Sequence, residues 1–175
     1  NLALPTDRVM AADVVIVDID EASLRAEGRW PWSRQKMSEL VVALKQAGVQ
    51  TIGFDVAFAE PERNVAQELI EAASRSGTLE HAQYLEQLIP AMDRDGLFAE
   101  TIKGQNVVLG FLFHSTEEPS VGKLPTGWAF FPGADHENLT IPLMRSYTGN
   151  LPSLQKAAKY GGFLNATSDT DGVLR

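Results

Sequence analysis

The sequence predicts an α/β domain: a three-layer α/β/α fold with a mainly parallel central sheet and room for an antiparallel edge hairpin at the C-terminus. Three observations carry that expectation. Residues 13–20 (DVVIVDID) are a continuous β-branched run bounded by polar residues, the pattern of a strand buried on both faces. Met37, Leu40, Val41, Leu44 and Ala47 then make one apolar stripe at helical period, and Gly48 stands where a left-handed residue closes a helix. A second apolar run, residues 49–58, follows at once, so strand, helix and strand succeed one another as in a right-handed βαβ unit.

The remaining elements follow in order. Residues 21–27 read as a short helix ended by Gly28, and residues 29–34 (RWPWSR) as an aromatic loop. Ser33 is placed to cap the helix over 34–47. Pro61, suited to a first helical position, opens a helix to Ser76 that Gly77 breaks. Residues 78–89 are helical again until Pro90, and a capped turn at 93–95 leads into a helix through Ile102, closed by Gly104. Residues 106–113 (NVVLGFLF) are the third strand. From His114 to Pro152 closely spaced prolines and glycines forbid long helices and central strands, and Trp128, Phe130 and Phe131 anchor that stretch to the body. Pro152 starts a short helix to Tyr160, Gly161 and Gly162 end it, and residues 163–165 are the fourth strand. Residues 169–172 (DTDG) form a hairpin turn, and residues 173–175 start the return strand. The whole reads as a single domain, 1–175, with insertions at about 62–104 and 114–150.

Composition narrows the function. Fifteen basic residues stand against 23 acidic ones, a net charge of −8, whereas a nucleic-acid binder needs a basic surface to displace counterions. There is no cysteine, so disulfides, thiolate catalysis and thiolate metal sites are excluded. No apolar run is long enough to span a bilayer. The chain opens at Asn1 without the features of a signal peptide and stops at Arg175 just as a strand begins, so a piece cut from a longer protein is expected, its flanking membrane segments removed.

Three carboxylates, Asp18, Asp20 and Asp55, fall where parallel strands present groups to a ligand crevice. They suit a divalent cation or a phospho-acceptor pocket; equally, Asp18 and Asp20 suit local caps. Asp55 interrupts an apolar strand, and a buried carboxylate requires a partner, for which Arg34 is the first candidate. Trp30, Pro31, Trp32 and Arg34 combine indoles, a rigid ring and a guanidinium, either as an interface hot spot or as a plug over the sheet edge. His81, His114 and His136 have no metal-ligand spacing, and no nucleotide-binding glycine loop or nucleophile elbow is present. A receiver-like phosphorylation site on Asp55 lacks the lysine expected past the third strand, where Phe113 and His114 stand instead. Residues 169–175 lack the distal glutamate of a calcium loop and read more economically as a turn.

Four segments taken together resemble a known family: residues 14–24 (VVIVDIDEASL), 28–34 (GRWPWSR), 53–58 (GFDVAF) with Pro61, and 162–165 (GFLN) with 169–175 (DTDGVLR). The pattern is similar to the second class of CHASE domains, the extracellular sensory domains associated with cyclases and histidine kinases. The resemblance covers nearly the whole chain. It implies a periplasmic sensor module of a bacterial inner-membrane receptor, tethered to the membrane and coupled to a cytoplasmic output such as an adenylate cyclase, a diguanylate cyclase or phosphodiesterase, or a kinase. It implies an unidentified small-molecule or periplasmic ligand, a homodimer, no nucleic acid, no cofactor, no metal and no catalytic residue. Asp18, Asp20, Trp32, Arg34 and Asp55 are then the ligand-binding candidates, and Trp30, Pro31, Asn165, Asp169, Asp171 and Arg175 the structural motif residues. The alternative is a metal-dependent hydrolase using Asp18, Asp20 and Asp55 around a cation.

Overall fold

The computed structural model describes residues 14–77, 82–126 and 144–165. Trp128, Phe130, Phe131, His81, His136 and the expected C-terminal turn and return strand lie outside the described residues. The chain divides into two compact units, Asn1–Trp32 and Ser33–Arg175.

In the first unit the strand expected over 13–20 is not formed: residues 14–20 belong to no strand, with Val14 86% and Ile16 88% exposed. A β-branched run becomes a strand only when a neighbour takes its backbone N–H and C=O groups, and no described segment pairs with this one. Helix α1 (Glu21–Glu27) follows as expected, with Asp20 as its N-cap and Gly28 at its end.

The second unit opens with α2 (Arg34–Gln46), capped by the Ser33 hydroxyl, which accepts the Lys36 N–H. Met37 and Val41 bury the stripe's N-terminal half, whereas Ala47 at its far end is exposed. Strand β1 is only Ile52–Phe54, shorter than the run over 49–58. The chain bends after Phe54, and the buried Phe58 gives its N–H to the Asn150 side chain instead of a ladder. Helix α3 (Val65–Ser76) starts at its Asn64 cap, not at Pro61. Between them Glu62 is held at both ends: its N–H donates to Asp95 and its carboxylate accepts from Arg94 and from the Arg34 N–H, which fixes a non-helical path. Helix α4 (Ala82–Leu88) and a 3-10 turn (Pro90–Met92) lead to α5 (Arg94–Ile102), capped by Asp93.

Strand β2 (Val107–His114) is the centre of the sheet. It pairs in parallel with β1 (Ile52 opposite Val107) and with β4 (Tyr160–Phe163; Val108 opposite Tyr160). Its last residues pair antiparallel with β3 (Ser146–Thr148), Leu112 opposite Thr148. The sheet is therefore mixed. The prolines leave room between them for β3, a three-residue strand that the sequence pattern does not announce. Helix α6 (Pro152–Ala157) stops before Tyr160, so β4 lies earlier than residues 163–165, and the two glycines expected to end a helix lie inside the strand. At Gly161 a side chain would strike the Pro125 ring, 2.7 Å from the Cβ position.

The core forms where α2, α5 and α6 meet the sheet. Phe54, Phe58 and Phe98 make a three-ring cluster with edge-on contacts and centroids 5.3–5.9 Å apart. Phe98, Ile102, Leu109 and Leu154 are fully buried. Helix α5 thus brings core residues out of the stretch 62–104, which reads from the sequence as an insertion. Phe98→Ala should lower unfolding free energy by about 3–5 kcal/mol in urea titration. Leu97→Ala, on the same helix but 48% exposed, should cost below about 1.5 kcal/mol. Equal costs would contradict the burial of this helix face.

Candidate functional site

The carboxylates of the first unit have separate fates. Asp18 is exposed. Asp20 is a cap: its Oδ1 accepts the Ser23 N–H and the Ser23 hydroxyl, both at 2.8 Å. These two bonds favour the charged form and hold the Asp20 carboxyl below the ordinary value of 3.8. In the aromatic loop the Trp30–Pro31 peptide is cis, and the Trp30 and Trp32 rings lie 6.3 Å apart, tilted by 58°. The Trp32 indole N–H donates to the Gly28 carbonyl at 2.9 Å, which ties the loop back to the end of α1.

Arg34 and Asp55 belong to the second unit, and they are not a pair. Arg34 Nε donates to Asp95 Oδ1 at 2.9 Å, its Nη2 donates to the Glu60 carbonyl at 2.8 Å, and its guanidinium lies 4.6 Å from the Phe58 ring centroid. Glu62 joins the same cluster, accepting from Arg94 at 2.8 Å and donating its N–H to Asp95 Oδ2 at 2.7 Å. Side chains of Arg34 and Asp95 are only 12% and 14% exposed. The expected Arg34–Asp55 pair fails because β1 ends at Phe54, which leaves Asp55 exposed on the bend beyond it. Asp95 and Glu62 are the residues sequence reasoning missed. Asp95 reads from the sequence as part of a capped turn, and nothing in the spacing links it to an arginine 61 positions away.

Two asparagines do the work of backbone. Asn150, fully buried, accepts the Phe58 N–H at 2.8 Å and donates to the Gly110 carbonyl at 3.0 Å and to Gln155 at 3.1 Å. Asn165, one of the motif residues, takes the Phe113 N–H at 2.7 Å and gives its amide to the Phe113 carbonyl at 2.8 Å. Its side chain therefore continues the β2–β4 ladder past the end of β4. Asp169, Asp171 and Arg175 lie outside the described residues. Among the described residues no three histidine, aspartate or glutamate side chains are grouped to hold a metal ion.

An open groove of about 1070 Å³ lies in the second unit over α5 and α6, reaching the loop before α3. It does not include Asp55 or Arg34.

A family model, described as the CHASE2 domain, matches residues 3–175. The chain belongs to the CHASE2 family. CHASE2 domains are extracytoplasmic sensory domains associated with signalling proteins. Comparison with the curated proteins and with the solved structures found no match. In this CHASE2 domain the motif arginine is an internal tie between α2, the residues before α3, and α5. No helix among its described residues is long and apolar enough to cross a membrane.

Two predictions follow from these placements. Asp95→Ala should cost about 1.5–3 kcal/mol of stability, because it removes charge-assisted bonds to Arg34 and to the Glu62 N–H. Asp55→Ala should stay within about 0.5 kcal/mol; the reverse ranking in urea unfolding would overturn the assignment of partners. For Asp20, whose folded value is depressed, the capping contribution is complete above the ordinary value of 3.8 and fades as pH falls through the lower folded value. Carboxyl-carbon NMR should place Asp20 below 3.8, and Ser23→Ala should move it upward.

Proposed function

We propose that this CHASE2 domain is the ligand-reading module of a bacterial transmembrane receptor, held on the periplasmic side of the inner membrane. The output, an adenylate cyclase, a diguanylate cyclase or phosphodiesterase, or a kinase, belongs to a separate cytoplasmic part of the same protein. The domain itself turns nothing over. The single observation that carries this reading is the family match along 3–175. Two features support it. The partly buried charges of the second unit are engaged with one another, as suits architecture, and Asp18 and Asp55 keep exposed carboxylates that can meet a ligand. Asp20, Trp32 and Arg34 contribute by holding the chain segments around them.

A signal in such a module is a shift between two packings, and a ligand moves that equilibrium only by its difference in affinity for the two. The active form is a homodimer of receptors, and the sheet belongs to a three-layer, mainly parallel arrangement. Topology tests the proposal directly. In the full-length gene, alkaline phosphatase fused after Arg175 should be active, since it matures only outside the cytoplasm. A fusion at that point that is inactive as phosphatase but fluorescent as a cytoplasmic reporter would overturn it.

A further inference from the structure

The groove over α5 and α6 carries a charge opposite to that of the chain. Arg63, Arg94, Lys103 and Lys156 line it against two carboxylates, Asp93 and Glu100, while the protein as a whole has a net charge of −8. The two carboxylates are already engaged. Asp93 accepts the Gly96 N–H as the cap of α5, and Glu100 pairs with Lys103. Lys156 makes no ion pair among the described residues. Arg63 and Lys103 sit in solvent-exposed bridges, to Glu68 and Glu100, which contribute little, whereas Arg94 is held by Glu62 at 2.8 Å. Against this rim stand apolar side chains left partly uncovered: Val65 is 44% and Leu97 48% exposed, and both line the groove.

An apolar surface bordered by surplus cations is the chemistry that receives an anion carried on an apolar body. The groove's volume of about 1070 Å³ lies just above the range of about 300–1000 Å³ for small-molecule sites. We propose that it binds a small carboxylate-bearing amphiphile, with the apolar part over Val65 and Leu97 and the carboxylate at the rim formed by Lys103 and Lys156. This names a ligand class for the sensing reading and rests on that reading for its biological meaning. The binding itself is read on the 175-residue chain, independently of membrane topology, so the two can fail separately.

The probes are decanoate and decyltrimethylammonium, which share a tail and differ in head charge, titrated calorimetrically below their micelle concentrations. Decanoate should bind saturably and about tenfold or more tighter than the cation. The double variant Lys103→Glu/Lys156→Glu should abolish or reverse that order, and Leu97→Asp should remove decanoate binding. All three positions are solvent-exposed, and circular dichroism checks that the fold is kept. Lys156→Gln alone provides a milder variant that should weaken decanoate and leave decyltrimethylammonium unchanged. Ile16→Asp, in the exposed run of the first unit, should leave decanoate binding as it is. Absence of saturable decanoate heat, equal affinity for the two probes, indifference to the lysine variants, or loss of binding in Ile16→Asp would each overturn the proposal.

Discussion

Every strand of the described sheet depends on β2. Strands β1, β3 and β4 have three or four residues each, too few to persist on their own, and each obtains its ladder from the eight residues Val107–His114. The neighbours come close. A side chain at Gly110 would lie 2.8 Å from the Leu164 methyls and 2.9 Å from the Phe54 carbonyl, so the middle of β2 must be bare for the flanking chains to pack there. Asn150 then takes the Gly110 carbonyl and the Phe58 N–H, which would otherwise be buried polar groups without partners. The strand, the glycine and the asparagine form one joint, and the segments following β1 and β3 meet at it.

Burial and charge divide the labour around that joint. The Phe54–Phe58–Phe98 cluster removes large apolar surfaces from water, at about 1.5–3 kcal/mol for each fully buried ring. The nearly covered Arg34–Asp95 pair contributes about 1.5–3 kcal/mol through charge-assisted bonds, and the more exposed Arg94–Glu62 pair about 1 kcal/mol or less. The aromatic cluster therefore supplies most of the cohesion. The charges supply position: Asp95 and Glu62 set where α2 and α5 start relative to the residues between β1 and α3. Arg34 lying over the Phe58 ring joins the two systems at one residue.

A sensory domain needs both a rigid body and a surface that is not used up in holding that body together. The second unit has both. Its partly buried charges are matched, and among the described residues no buried side-chain nitrogen or oxygen lacks a partner. The groove over α5 and α6 is the opposite case, with uncovered apolar side chains, Lys156, and the exposed bridges of Arg63 and Lys103. A ligand there would contact α5 directly, and α5 carries Asp95 and Phe98.

The helices were legible because their signals are local. Asp20, Ser33 and Asp93 each cap the helix that follows within a few residues, and the stripe from Met37 to Leu44 declares its own period. The family was legible too, since its motifs are short strings. Strands were read less well, because a β-branched run states a preference and a neighbour decides whether it is met: Val14–Val17 has no partner among the described residues, whereas Ser146–Thr148 became a strand without advertising itself. The partners of the chemical groups were not legible at all. Arg34 meets Asp95 and Asn150 meets Phe58 across 61 and 92 positions, and Asp55 is left in water because β1 is short. By itself the amino-acid order determined caps, periods and kinship, which depend on neighbours along the chain. Tertiary structure alone decided which strands pair and which charges meet, because those contacts exist only after distant segments have been brought together by the burial of their apolar faces.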